Sequence, residues 1–163
     1  MAALPLLGQS PQNNKIQELL RFSLNEGPEQ IVTLLGRPQR VDDSLAGYQS
    51  WQYEFSAAEE NDDNSPPAWF VCLGTARRQV LSVTRNFDKP QDVDGLFPPP
   101  QTVVHYWPSK DAPQFTVRLR QLSGEVLLLA MGTAKPGERT SQLILIRRSA
   151  LKTFMPWLAE QFR

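Results

Sequence analysis

The sequence predicts an α+β fold in which two short N-terminal helices pack on an antiparallel sheet of about seven strands, with a C-terminal helix. Three observations support this prediction. Apolar residues recur at helical spacing in the first 35 residues, strand-like segments then follow one another, and helical spacing returns after residue 149. Strands that succeed one another without helical crossovers pair as antiparallel neighbours.

The two N-terminal helices are recognised by their apolar stripes. The first stripe consists of Ile16, Leu19, Leu20 and Leu24. The second consists of Ile31, Leu34 and Leu35. Pro28 suits the first position of the second helix. Gly36 and Pro38 end it, because glycine adopts the left-handed conformation of a helix end and proline cannot continue a helix.

The predicted strands are short segments rich in β-branched and aromatic residues. They are residues 51–55, 69–73, 79–85, 102–107, 115–121, 125–131 and 142–148. In the segment 115–121, apolar Phe115, Val117 and Leu119 alternate with polar residues, which predicts one buried face and one basic face. The segment 125–131 is apolar at nearly every position, so we expect a central strand that is covered on both faces.

The C-terminal helix is predicted from Ser149, a suitable N-terminal cap, and from the apolar residues that follow it. We expect Pro156 to kink this helix or to split it in two. A single domain over residues 1–163 is predicted, since this length is typical of one domain. The stiff proline run at 98–100 offers an alternative division into halves 14–97 and 101–163.

Charge is unevenly distributed along a chain whose formal net charge is zero. Residues 1–97 contain 8 Lys and Arg against 13 Asp and Glu, a net charge of −5, and residues 98–163 carry the opposite +5. The zero total argues against a partner that binds through the overall charge of the protein. Nucleic acid is an unlikely partner because no RNA-binding aromatic signature is present. No segment approaches about 20 uninterrupted apolar residues, so we expect a soluble protein without a transmembrane segment. The single Cys72 and the lack of export features favour the cytoplasm, with export as the alternative if a signal peptide has been removed.

Residues 28–87 resemble the small α+β domain of the SmpA/OmlA (BamE-like) family. The resemblance rests on a helix that ends in Leu-Gly-Xaa-Pro, a Trp-Xaa-Tyr strand and further hairpin strands. The residues concerned are Leu35, Gly36, Pro38, Trp51, Tyr53 and the strand around Val80 to Val83. Members of the family are non-enzymatic protein-binding modules, so the resemblance implies recognition rather than catalysis. The sequence departs from the lipoprotein members because it has no lipobox cysteine near its start.

No arrangement of reactive residues in the sequence is typical of an enzyme. Cys72 and His105 are the single cysteine and the single histidine, and a dyad between them is the enzymatic alternative. Acidic pairs at 59–60 and 62–63 lie in a polar loop, where solvated carboxylates lack the fixed separation that acid–base catalysis needs. Glycine-rich phosphate loops and metal-ligand motifs are also missing from the sequence. We therefore expect no enzymatic activity, no cofactor and no metal.

Binding to another protein is the favoured function. Arginines and aromatic residues on predicted strands would supply the contacts, because these residues are enriched at protein interfaces. The candidate contacts are Arg118, Arg120, Arg147, Arg148, Trp107 and Tyr106. The interaction would use a face or an edge of the sheet. The alternative is a carrier for a small lipid or pigment-like molecule, with an apolar pocket between the helices and the sheet.

Overall fold

The computed structural model describes residues 11–57, 59 and 65–162, with side chains from residue 16 to residue 161 within those ranges. In this part of the chain there are four α-helices and eight β-strands. The helices are α1 (Pro11–Leu20), α2 (Glu29–Leu35), α3 (Leu151–Phe154) and α4 (Pro156–Ala159). The strands are β1 (Arg40–Asp42), β2 (Tyr48–Tyr53), β3 (Trp69–Gly74), β4 (Gln79–Asp92), β5 (Thr102–Tyr106), β6 (Phe115–Gln121), β7 (Val126–Met131) and β8 (Arg139–Arg147). Single 3₁₀ turns lie at Asp94–Leu96, Arg148–Ala150 and Glu160–Phe162.

All eight described strands belong to one antiparallel sheet, in the order β1-β2-β3-β4-β8-β7-β6-β5. Strands β1 to β4 form one meander and β5 to β8 form a second. The pairing of β4 with β8 joins the two meanders at the centre. The prediction of an α+β fold with an antiparallel sheet is confirmed, with eight strands instead of about seven. The number of domains stays a prediction.

Two strands differ from the sequence prediction. The prediction does not include β1, because the three residues Arg-Val-Asp are too few to show an alternating apolar pattern. Strand β4 continues to Asp92, seven residues beyond its predicted end at Arg85, and it passes through Pro90. Proline fits there because the pairing with β8 shifts register between Asn86 and Gln91, which leaves that stretch outside the regular ladder.

The N-terminal helices cover one face of the sheet, but Leu20 and Leu34 of the two predicted stripes are 37% and 43% exposed. Leu19 of α1 and Ile31 of α2 are fully buried in a cluster with sheet residues such as Val71. Gly36 has a φ of +78° directly after α2, the left-handed conformation that glycine adopts without strain. The Tyr53 hydroxyl donates a hydrogen bond to the Gly36 carbonyl at 3.0 Å, and this bond ties the end of α2 to β2.

The C-terminal helices cover the opposite face. They are separated at Pro156, as the sequence predicts, and Leu151 and Leu158 are buried against the sheet. Strand β7 contributes to both clusters, with Leu128 under the N-terminal helices and Leu129 under the C-terminal ones. This double cover explains why the sequence of β7 is apolar at nearly every position.

Candidate functional site

The four arginines predicted as partner contacts differ in exposure. Arg118 is 0% exposed and Arg147 is 8% exposed, whereas Arg120 and Arg148 lie on the surface. A buried guanidinium is out of a partner's reach. Arg118 therefore does not form the basic surface that the alternation in β6 predicts, and Arg147 of β8 is not a surface contact either. Contact by Arg120 and Arg148 stays a prediction.

The Arg118 guanidinium holds three segments together. It pairs with Asp94 Oδ1 at 2.6 Å, donates from Nε to Thr133 Oγ1 at 2.9 Å, and donates to the Glu138 carbonyl at 3.1 Å. The hydrogen bond from Arg118, together with one from the Gly137 N–H, holds the pKa of Asp94 below its ordinary value. The turn after β4 and the β7–β8 loop thus bury the face of β6 on which Arg118 lies. The alternation of apolar and polar residues in β6 does not predict this burial, because the covering segments are distant in sequence.

Arg147 has a similar structural role on the central strand β8. Its Nε donates to the Val80 carbonyl at 3.0 Å, and a terminal nitrogen donates to the Leu24 carbonyl. These two carbonyls belong to β4 and to the segment after α1. Hydrogen bonds of this kind offset the cost of burying the charge, so Arg147 fixes the helical layer onto the sheet.

Strand β5 is one edge of the sheet, next to β6. The hydrogen bonds of β6 show which backbone groups of β5 are paired within the sheet and which point to the open edge. The Thr116 carbonyl accepts a hydrogen bond from the Gly132 N–H at 2.7 Å, at the end of β7. Backbone groups alternate in direction along an antiparallel strand. The β6 residues on either side of Thr116 therefore direct their N–H and C=O groups towards β5.

The pairing of β6 with β5 determines the direction of the backbone N–H and C=O groups in β5. Tyr106 and Val104 lie opposite those β6 residues, so their backbone groups point inward. Val103 and His105 then direct their N–H and C=O groups to the open edge. Within the described residues, neither has a backbone hydrogen-bond partner on that side. Four free backbone groups on a short strand are a template for another strand.

Aromatic side chains flank this edge on both faces of the sheet. Tyr106 stacks on Trp157 of α4, with ring centroids 4.9 Å apart, and its register neighbour Phe115 is 48% exposed. On the other face, Trp107 is 60% exposed and stacks on His105 at 6.3 Å. The structure thus brings the predicted contacts Tyr106 and Trp107 to one end of β5.

Sequence reasoning missed two members of this aromatic group. Phe115 was expected in the core because it shares the parity of Val117, but it lies at the end of β6, where it stays half exposed. Its position across the hairpin from Tyr106 is a signal that could have identified it. No sequence signal relates Trp157 to β5, since their contact depends on the way α4 packs on the sheet.

The structure does not bring the two residues of the enzymatic alternative together. Cys72 lies in β3 and His105 in β5, which are five strand positions apart in the sheet. At about 4.8 Å per strand, the separation is roughly 24 Å. Burial also raises the pKa of the Cys72 thiol to about 11, which keeps it protonated at neutral pH. A dyad between them is therefore excluded.

A cleft of about 600 Å³ opens between the N-terminal helices and the sheet. The apolar part of its wall is formed by Leu34, Leu35 and Trp69. Arg85 also lines the cleft, is 3% exposed and pairs with Glu59 at 2.9 Å. The buried ion pair makes this cleft partly polar, in contrast to the apolar pocket that the carrier alternative predicts.

None of the helices in the described part of the chain is long and apolar enough to cross a membrane. Within the same residues, no cluster of three or more His, Cys, Asp or Glu side chains is arranged to hold a metal ion.

Comparison with known proteins gives a likeness of fold. No protein-family model matches the sequence, and no curated protein matches it. A solved structure of an extracellular protein containing an SCP domain, from Bacillus anthracis strain Ames, matches 93% of this chain with a TM-score of 0.51 and 11% identity. A cysteine-rich secretory protein from Staphylococcus aureus Mu50 matches 80% of it with a TM-score of 0.47 and 13% identity. The chain spans about half the length of each, 51% and 45% respectively.

These comparisons correct the resemblance to the SmpA/OmlA family, which is wrong. The matching structure with a TM-score of 0.51 is described as containing an SCP domain instead. The Leu-Gly-Xaa-Pro motif has a local cause, since Gly36 and Pro38 are the residues that any helix stop of this kind requires. The expected cytoplasmic location has no support from the comparisons. At 11% identity, the chain is similar in fold to part of an SCP-domain protein, and the likeness extends no further.

Proposed function

We propose that the protein is a non-enzymatic binding module that docks an extended segment of a partner protein on the β5 edge. The observation that supports this proposal is the pair of outward-facing residues, Val103 and His105, whose backbone groups have no partner in the described structure. A partner strand would satisfy all four groups by β-augmentation.

The side chains around β5 supply the remaining binding energy. Each backbone hydrogen bond contributes about 1 kcal/mol net, so four bonds alone give weak binding. Covering Trp107 and Phe115, which are 60% and 48% exposed, removes large aromatic surfaces from water. Arg120 lies on the neighbouring strand and is exposed, where it adds a charged contact at the rim.

The test uses the protein as bait in a lysate of its native host. His105→Pro removes the outward N–H and places a ring at the edge, while the bonds to β6 are retained because the His105 backbone does not point that way. His105→Ala is the matched control, since it removes the same side chain and keeps the N–H. We expect one stoichiometric protein to be retained by the native chain and by His105→Ala, and lost with His105→Pro. Equal retention by all three baits would overturn the proposal.

A small-molecule carrier is the second candidate, because the cleft of about 600 Å³ has room for a small ligand. The Arg85–Glu59 pair in its wall suits a partly polar ligand rather than a wholly apolar one. Leu34 lines this cleft and is 43% exposed, whereas Leu45 is 55% exposed and lies outside it. Native mass spectrometry of the purified protein would show a co-purifying ligand whose occupancy falls in Leu34→Gln and not in Leu45→Gln. A spectrum with the mass of the chain alone would count against this candidate.

A location outside the cytoplasm fits the comparison best. The Bacillus anthracis protein with the similar fold is described as extracellular, and this description is the reason to prefer export for the present chain. Fractionation of the native host with an antibody against the chain tests the assignment. Recovery in the medium or envelope supports it, and recovery in the cytosol contradicts it.

A further inference from the structure

The two edges of the sheet differ in their protection against pairing. Strand β1 has three residues, and Arg40 and Asp42 place a charge at each end of it. Short and charged edge strands resist pairing with other chains. Strand β5 has five residues, Thr-Val-Val-His-Tyr, with no Lys, Arg, Asp, Glu or Pro and no irregularity in its register. One sheet thus has a protected edge and an unprotected edge, which indicates that β5 is covered in the working protein.

We infer that a second copy of this chain pairs antiparallel with β5 across a two-fold axis. The inference rests on the same open edge as the proposed function; a partner strand and a second copy compete for β5, so the dimer is the form of the chain without its partner. Val103 and His105 lie symmetrically about Val104 in the strand. An axis at Val104 sets Val103 of each copy opposite His105 of the other, and these pairs exchange all the outward hydrogen bonds.

The side chains are compatible with this arrangement. Because β5 has no acidic or basic residue apart from His105, and each imidazole lies opposite a valine, no like charges face each other directly across the axis. Trp107 follows the strand and lies opposite Gln101 of the second copy in this register, so its 60% exposed ring gains cover. The two eight-stranded sheets become one continuous sheet.

The register predicts a specific disulfide. Val104 of one copy lies opposite Val104 of the other as a non-hydrogen-bonded pair, with Cα atoms about 4.5 Å apart, which suits a disulfide. Two Thr102 residues are separated by about four residues along the strands, or roughly 14 Å, which is too far. We expect mild oxidation to cross-link Val104→Cys into a dimer and to leave Thr102→Cys monomeric on a non-reducing gel. The native chain controls for Cys72, which is buried.

A second measurement covers the case in which Val104→Cys does not fold, as judged by circular dichroism. Sedimentation equilibrium of the native chain should show a monomer–dimer equilibrium. His105→Pro removes one outward N–H per copy, two per dimer, and should weaken the dimer about 30-fold. Val41→Lys, which adds a charge to the other edge, and His105→Ala should keep the dissociation constant near that of the native chain.

Each outcome has a definite meaning. Cross-linking of both folded cysteine variants alike, or of neither, overturns the inference. A native chain that is monomeric at every concentration also overturns it. An equal dissociation constant for His105→Pro and the native chain also overturns it. All of these measurements use the purified chain alone, so their failure leaves the lysate test of the proposed function unaffected. Conversely, a dimer that passes these tests does not rescue the proposed function if His105→Pro retains the lysate partner.

Discussion

Replacing Arg118 by methionine tests whether this residue is a structural centre or a surface contact. Methionine keeps most of the apolar stem but removes the donors to Asp94, Thr133 and the Glu138 carbonyl. Arg118 is 0% exposed, whereas the Asp94 side chain is 36% exposed and can be resolvated when the pair is lost. We therefore expect a loss of about 3 kcal/mol in the free energy of unfolding, near the low end for breaking a buried ion pair.

Arg120→Met is the matched control from the same strand. Arg120 is exposed and makes one hydrogen bond of 3.0 Å to the Leu96 carbonyl. Its replacement should change the free energy of unfolding by no more than about 0.5 kcal/mol. Urea unfolding at pH 7, followed by circular dichroism, measures both variants. If Arg118→Met costs no more than Arg120→Met, the assignment of Arg118 as a buried structural centre is refuted.

The pH dependence provides a second arm of the same test. Hydrogen bonds from Arg118 and Gly137 lower the folded pKa of Asp94 from its ordinary value of 3.8. When the pKa of a carboxyl group is lower in the folded than in the unfolded protein, the ionised group stabilises the fold at pH values above the unfolded pKa. This stability is lost as the pH falls through the folded pKa. The difference in stability between the native chain and Arg118→Met should therefore shrink below about pH 4. A difference that stays constant down to pH 2 would contradict the role given to Asp94.

Three further predictions follow from buried groups elsewhere. Arg147→Met should cost about 2 kcal/mol in urea unfolding, because the Val80 and Leu24 carbonyls lose their donors. Arg139→Met, which changes an exposed arginine of the same strand, should cost far less, and equal costs would contradict the account. The Cys72 thiol, whose pKa is raised to about 11 by burial, should resist iodoacetamide at pH 7.5 in the folded protein and react in 6 M guanidinium, roughly as a free thiol does. Burial raises the pKa of Tyr53 from 10.0 to about 12. The contribution of this protonated tyrosine to the free energy of unfolding is therefore complete below pH 10 and should fall as the pH rises from 10 to 12. Tyr53→Phe should flatten that fall and cost about 1 kcal/mol at pH 7 through loss of the bond to Gly36, and an unchanged alkaline profile would show that the fall has another origin.

Local patterns predicted most of the elements of this fold. The helix stop at Gly36, the split of the terminal helix at Pro156 and the double cover of β7 are each indicated by a few residues close in sequence. Propensity and periodicity act at that range, which is why they predict such features. Strand β1 was missed for the same reason, since three residues without a pattern carry no local signal.

The candidate site depends on contacts between distant residues, which local patterns do not contain. Alternation placed Arg118 on the correct face of β6, but Asp94 and Thr133, which cover that face, are 24 and 15 residues away. The open edge follows from the order of the strands, which puts β8 beside β4 and leaves β5 outermost. Neither fact can be derived from a single segment of sequence.

The location of the free backbone groups is the central claim, and amide hydrogen exchange of β5 tests it most directly. In dilute isolated protein, the N–H groups of Val103 and His105 should exchange quickly, while those of Val104 and Tyr106, bonded to β6, should exchange slowly. Protection of Val103 and His105 should rise when a partner strand is added or when the protein is concentrated. Slow exchange of Val103 and His105 in the dilute protein, or fast exchange that nothing slows, would contradict the account.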